Sequence, residues 1–268
     1  MGSQDARRGP ARRHAVILAG GKGVRLRPYT TSLPKPLVPL GDECSILEVV
    51  LHQLAGAGVG SVSVAIGHLG QLIRAVVGDG RRWGLEVDYW EEDSPLGTVG
   101  PLIQHRDELP ADFLVLNGDI LTDIPFGAVY DQHVEAGADV TVAAYTREVQ
   151  IDFGVLELTA DAGRIVGFRE KPTLDYTVSM GVYALSHRVL QRFEPGLPLG
   201  FDDLLLDQLS TGNPPQSYRY DGFWLDIGRP EDYDRANEEF PVLRSVLITD
   251  RFGMPTALGA SGAPEPRD

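Results

Sequence analysis

Short apolar runs alternate with helically spaced apolar positions through the first half of the chain. Ala15-Val16-Ile17-Leu18 and residues 61–66, 85–89, 113–116 and 139–145 read as strands. Between them, residues 46–57, 69–77, 99–106 and 126–136 carry apolar side chains at helical spacing. Buried strands separated by helices need crossover connections. The pattern therefore predicts an α/β fold with a Rossmann-like, mixed but mainly parallel sheet flanked by helices.

The second half reads differently. Residues 153–158, 164–168 and 177–185 look like strands joined by turns, and 189–193 and 201–209 look helical. Short strands are expected at 218–220 and 223–225, and Pro230 opens a last helix with proline in its first turn. No linker is rich enough to split the chain. One domain over 14–240 is expected, with 14–145 as one half and 146–240 as a smaller, β-rich subdomain folded onto it. Residues 1–13 carry arginines with no hydrophobic run behind them, so they read as a disordered tail rather than a secretory signal. Beyond about Phe240 the pattern weakens. The extension 241–268 is expected to be partly disordered, being rich in Gly, Ala and Pro from Ala257 on. No internal repeat is visible.

Composition narrows the partners. With 43% hydrophobic residues among 268, the chain can build a substantial core. Its formal net charge is −14, which argues against nucleic acid or an anionic membrane as a partner. An acidic protein that handles phosphates must concentrate its few cations, so Arg25, Lys35 and Lys171 carry more information than usual. The single cysteine, Cys44, excludes an internal disulfide and a cysteine-based zinc site, and the six histidines lack metal-ligand spacing. No apolar run approaches a membrane span. A soluble cytoplasmic protein is the expectation. A homo-oligomer is allowed but not specified.

The chemistry starts where the first strand ends. In Leu18-Ala19-Gly20-Gly21-Lys22-Gly23-Val24-Arg25, the glycines let the backbone turn tightly and approach a ligand, and successive N–H groups can cradle an anion. Arg25 and, further on, Lys35 in Pro34-Lys35-Pro36-Leu37 add fixed positive charge. A strand, a glycine turn and two cations suit a polyphosphate. The run matches neither a Walker A loop nor a G-x-G-x-x-G dinucleotide loop, since Leu26 stands where the third glycine belongs.

Two aspartates follow at strand ends. Asp119, in Asn117-Gly118-Asp119, lies at the carboxyl edge where open α/β sheets bind ligands. Asp226, in Phe223-Trp224-Leu225-Asp226-Ile227-Gly228, precedes a glycine turn and a helix start. Taken singly, each also reads as a turn or cap residue. As a pair they can converge on one Mg²⁺, which takes one or two protein carboxylates plus phosphate oxygens. Glu170-Lys171-Pro172 can bind a second phosphate and sugar hydroxyls, or can be a solvated turn. Gly154 allows close approach of a sugar, or marks a bulge. Glu92, before Pro95-Leu96-Gly97-Thr98, hints at guanine, whose N1–H and 2-amino donors one carboxylate can accept together.

Taken in order, the glycine loop, Pro-Lys-Pro, Pro-Leu-Gly-Thr, Asn-Gly-Asp, Glu-Lys-Pro and Trp-Leu-Asp-Ile-Gly resemble the signature of the sugar-1-phosphate nucleotidyltransferases over roughly residues 14–240. The stretches around Glu92 and Asp226 look most like mannose-1-phosphate and heptose-1-phosphate guanylyltransferases. The resemblance implies an enzyme that joins a nucleoside triphosphate and a sugar 1-phosphate into a nucleotide sugar and pyrophosphate, with 14–145 binding nucleotide and 146–240 sugar phosphate. It implies that Leu18, Gly20 and Gly21 hold the nucleotide, with Glu92 and Gly97 at the base. By the same resemblance, Arg25 would grip the β- and γ-phosphates and Lys35 the α-phosphate, Asp119 and Asp226 would hold Mg²⁺, and Gly154, Glu170 and Lys171 would contact the sugar phosphate. Ser179-Met180-Gly181 departs from the Asn-Ala-Gly frequent there, which bears on sugar choice. Another nucleotide and sugar, or a non-catalytic regulatory subunit on the same fold, are the alternatives.

Overall fold

A computed structural model describes residues 13–248, apart from Asp93 and Ala162. The expectations for residues 1–12 and for 257–268 lie outside the described residues. Arg13 does not belong to a tail: it opens the first strand, donating to the Ala57 carbonyl and pairing with Asp131 at 2.7 Å.

Strand β1 (Arg13–Ala19) is buried on both faces, which is why it reads as a continuous apolar run. Short 3₁₀ turns at Val24–Leu26, Tyr29–Thr31 and Lys35–Leu37 follow, then a small ladder of β2 (Pro39–Leu40) and β3 (Cys44–Ser45). Helix α1 (Ile46–Gly56) starts at a reciprocal cap between Ser45 and Glu48. Next come β4 (Val59–Ile66), α2 (Gly70–Val77), β5 (Glu86–Glu91), α3 (Gly100–Gln104), β6 (Asp112–Asn117), β7 (Ile120–Thr122) and α4 (Phe126–Ala136). The second half gives β8 (Val140–Gln150), β9 (Val155–Leu158), β10 (Ile165–Arg169), β11 (Thr173–Ser186), α5 (His187–Leu190), α6 (Phe201–Ser210), β12 (Gln216–Tyr220), β13 (Trp224–Asp226) and α7 (Pro230–Leu247).

The central sheet has seven strands in the order β12-β8-β11-β6-β1-β4-β5. Every neighbouring pair is parallel except β11 against β6 and β8, so β11 alone runs the other way. Strand alternation divides the core. Ala15, Ile17, Leu114 and Leu116 face α1, α2 and α4, whereas Val16, Phe113 and Val115 pack with Leu102, Val189 and Leu204 on the other face. A third cluster joins Leu26, Val38 and Leu40 to Leu121, Leu225, Ile227 and α7. It lies beneath the loops that carry the motifs. Helix α7 runs past Phe240 and through Pro241, because Leu247 and Ile248 are buried in this cluster.

The second half is not a separate sheet: β11 and β12 join the central one. What projects as an arm is the exposed end of β8 paired with the start of β11, together with the β9–β10 hairpin. Where the arm meets the sheet, the register of β11 shifts between Ser179 and Tyr183, and Gly181 takes φ +74°. No helix among the described residues is long and apolar enough to cross a membrane.

Candidate functional site

The carboxyl ends of β1, β4, β5 and β6 share one edge, as parallel strands must, and the loops leaving them wall a cleft of about 830 Å³. Leu18, Gly20, Gly21, Glu92, Gly97 and Asp119 all line it. A second recess of about 250 Å³ continues from it past Leu18, Gly21 and Asp119 to Arg25, Lys35 and Gly228.

Glycines let the walls close up. A Cβ on Gly20 would fall on the Glu92 carboxylate, and one on Gly67 would sit 2.9 Å from the Gly20 carbonyl oxygen. Loops after β1, β4 and β5 are thus stacked backbone on backbone, with Glu92 held among them. The Glu92 carboxylate accepts from the Leu96 N–H at 3.3 Å, and burial pushes its pKa upward against that bond. Gly97, at φ +78°, lies against the Leu199 carbonyl. Leu199 accepts from Val99 at 2.9 Å and donates to Leu96 at 2.9 Å, so the second half straps this loop in place.

The second recess gathers the charges. The Lys35 residue is 7% exposed, and its ammonium donates to Asp119 at 2.5 Å. Gly118 donates to the Leu18 carbonyl at 2.9 Å, which ties the loop after β6 to the end of β1. Asp226 arrives from β13, whose short antiparallel ladder with β7 sets Asp226 opposite Ile120, next to Asp119. A Cβ on Gly228 would stand 3.9 Å from both Arg25 Nη1 and Asp226 Oδ2. Asp226 keeps an opening to solvent, yet its carboxyl is raised above the ordinary value, first by the surrounding protein and then by Asp119; Lys35 and Arg25 oppose the shift. Two carboxylates and two cations from four separate stretches therefore meet at one point.

Among the described residues no three His, Cys, Asp or Glu side chains are grouped to hold a metal. The Asp119–Asp226 pair is the hard-oxygen donor set that suits a divalent cation taking its remaining ligands from phosphate and water.

Gly154, Glu170 and Lys171 line neither recess. They lie together on the arm, where a Cβ on Gly154 would stand 3.2 Å from Glu170 Oε2 and would collide with the Phe168 ring. Lys171 is exposed and holds φ +43°, a left-handed conformation costly for a side-chain-bearing residue. Met180 is 1% exposed and packs in the core, so its side chain is not part of the cleft wall. The Met180 side chain, which replaces the alanine frequent in Asn-Ala-Gly, faces inward. Lys22, Gly67, His68, Thr98 and Asn117 also line the cleft. Their common signal is position just past a strand's carboxyl end or in the loop it feeds.

A model of the family described as nucleotidyl transferase matches residues 14–241. The chain belongs to this family. The mannose-1-phosphate guanylyltransferase catalytic subunit beta of Dictyostelium discoideum is 33% identical over 224 residues, 82% of this chain and 62% of that protein. The Schizosaccharomyces pombe mannose-1-phosphate guanyltransferase is 33% identical over 226 residues, with the same shares covered. The chain thus spans about 62% of the length of these relatives. Among solved structures, HddC from Yersinia pseudotuberculosis superposes with a TM-score of 0.65 at 26% identity, covering 85% of this chain and 99% of HddC. HddC has also been solved with GMP-PN, at a TM-score of 0.64 and 25% identity, with the same shares covered. The nucleotidyl transferase family that the motifs implied and the mixed, mainly parallel fold that the strand–helix pattern predicted are both correct.

Proposed function

We propose that this nucleotidyl transferase joins GTP and a sugar 1-phosphate, of mannose or a heptose, into a GDP-sugar and pyrophosphate. The observation that carries the reading is the meeting of Arg25, Lys35 and Asp119 in a recess continuous with the Glu92 cleft, with Asp226 close beside them. The guanylyltransferase names of the relatives and the GMP-PN held by HddC support the guanine assignment.

In this reading the base enters the larger cleft, where the Glu92 carboxylate accepts from N1–H and the 2-amino group. The backbone of Gly20 and Gly21 follows the nucleotide down to Arg25, which takes the outer phosphates, and Lys35, which takes the α-phosphate. The arm brings the sugar phosphate, with Gly154 and Glu170 at the sugar and Lys171 at its phosphate, so residues 14–145 serve the nucleotide and 146–240 the sugar. A sugar phosphate oxygen attacks the α-phosphorus in line, the bond to the bridging β-phosphate oxygen breaks, and pyrophosphate leaves opposite. The nucleophile is already an anion at neutral pH, so no general base is required. Catalysis then consists of positioning and of stabilising charge on the leaving group. Asp119 and Asp226 would hold Mg²⁺, which when bound would supply divalent charge that lets two anions approach. Lys35, shared between Asp119 and the α-phosphate, offsets the repulsion between the carboxylates and the incoming phosphates. The reaction consumes a nucleoside triphosphate and belongs in the cytoplasm, where that substrate is regenerated.

The test is pyrophosphate release with Mg²⁺, crossing five nucleoside triphosphates with mannose, glucose and heptose 1-phosphates. Release with GTP and mannose or heptose 1-phosphate is expected. Release only with another nucleotide retains the chemistry and removes Glu92 as a guanine reader.

A further inference from the structure

The two carboxylates of the recess depend on a very short ladder. Strands β7 and β13 pair over three positions: Trp224 with Thr122, Leu225 with Leu121 and Asp226 with Ile120. Asp119 directly precedes this ladder, and the Ile227 N–H donates to its carbonyl at 3.2 Å. The separation of the Asp119 and Asp226 side chains is therefore a register. Burial of Leu121 and Leu225 favours this register, but a ladder of three positions has few bonds of its own, and a slip of one residue would turn Asp226 to the opposite face.

The far end of the ladder is tied at Phe223 by two side chains, Asp123 and Thr122. Asp123 Oδ1 accepts from the Phe223 N–H at 2.7 Å and from the Tyr220 hydroxyl, while the Asp123 N–H donates to the Phe223 carbonyl at 3.3 Å. The Thr122 hydroxyl donates to the same Phe223 carbonyl at 2.7 Å. Gly222 fits under this knot because it has no Cβ; one placed there would meet the Tyr220 hydroxyl and stand 2.9 Å from Asp123 Oδ1. Trp224 is anchored separately, its Nε1–H donating to the Met180 carbonyl at 2.9 Å. A carboxylate suits the position since it accepts without donating and can take both bonds on one oxygen.

We infer that Asp123, with Tyr220, is a positioning residue that pins the β7–β13 register and thereby sets the Asp119–Asp226 pair for its divalent cation. Tyr220 ends β12, an edge strand of the main sheet, so the pin transmits the sheet's position to the carboxylate. The inference rests on the metal assignment proposed above, but its first readout does not.

The experiment uses Asp123→Leu, Asp123→Asn and Tyr220→Phe in the full chain, each checked for native circular dichroism. Amide exchange at Leu225 and Ile227 reads the ladder directly. Mn²⁺ titration followed by water-proton relaxation reads the carboxylate pair, and GTP affinity in chelator reads the neighbouring cleft. Asp123→Leu is expected to speed exchange at these amides and weaken Mn²⁺ about tenfold or more, the cost of about one lost charged hydrogen bond. GTP affinity in chelator should stay unchanged. Asp123→Asn, which keeps an acceptor oxygen, should remain within about threefold of wild type, and Tyr220→Phe should fall between the two. Wild-type exchange and Mn²⁺ binding in Asp123→Leu would overturn the inference, as would an Asn variant as impaired as Leu. If Asp123→Leu does not fold, an unchanged Tyr220→Phe overturns it instead. Faster exchange in variants of a protein whose wild type binds no Mn²⁺ would instead remove the metal assignment and leave the register pin standing.

Discussion

The Lys35 ammonium and the Asp119 carboxylate form an ion pair at 2.5 Å across 84 residues of chain, with the lysine side chain 9% exposed and the aspartate 27%. It joins the loop after β1 to the loop after β6, and it places a cation beside a second carboxylate, Asp226. Because Lys35 is nearly enclosed, removing it strands a negative charge next to another. Lys35→Met should destabilise the fold by about 1–3 kcal/mol, less than a fully buried pair because Asp119 reaches solvent. Turnover should drop about 100-fold or more. Adding Asp119→Asn should restore most of the stability and none of the activity. Thermal unfolding and pyrophosphate release on the single and double variants check this, and stability that stays low in the double variant counts against the pair as the cause.

Asp226 gives a prediction with a definite sign. Its carboxyl is raised in the folded protein by surrounding protein and by Asp119, so the fold holds this proton more tightly than the unfolded chain does. The associated stability is fully present below the ordinary value of 3.8 and is lost as pH rises from there through the raised value. At neutral pH, in the absence of metal, Asp226→Asn should therefore be more stable than wild type, by about a degree or two because solvent screens the group. The gain should vanish at pH 3, where both forms are uncharged. Metal-dependent turnover should be lost. A variant less stable than wild type at neutral pH would show that Asp226 makes favourable contacts that outweigh its crowding.

Glu92→Gln replaces a two-oxygen acceptor by an amide with one acceptor and one donor. It should lower kcat/KM for GTP by about 10–100-fold relative to the other nucleotides, the range of one lost bidentate base contact. Burial raises the Glu92 carboxyl, so wild-type KM for GTP should climb as pH falls toward that raised value, while the glutamine variant stays flat. Equal losses for every nucleotide would assign Glu92 to shaping the Gly20 loop, which it also touches, instead of to reading the base.

Lys171 separates function from folding. A lysine at φ +43° is strained, and glycine relieves that strain at no steric cost. Lys171→Gly should leave thermal stability unchanged or raised by up to about 1 kcal/mol. It should raise KM for the sugar 1-phosphate at least about tenfold with GTP affinity intact. An unchanged KM would remove Lys171 from the sugar phosphate site.

Much of this molecule was legible one stretch at a time. The runs at 15–18 and 113–116 are apolar because β1 and β6 are covered on both faces, and the helix at 126–136 matches α4. The glycine loop and Asn117-Gly118-Asp119 announce themselves because a close approach or a strand-end carboxylate needs particular residue types at fixed local spacing. By itself the sequence determined the alternation of strands and helices, the motif order that marks the family, and the scarcity of lysine that made Lys35 and Lys171 conspicuous. Only the tertiary structure decided which motifs meet. It set Lys35 against Asp119, stacked Gly67 on Gly20 beside Glu92, and turned Met180 into the core. It also reversed β11 in the middle of a parallel sheet and tied Asp123 to Tyr220. Each of these is a contact between residues far apart in the chain, set by strand order and register, which periodicity within a single segment does not contain.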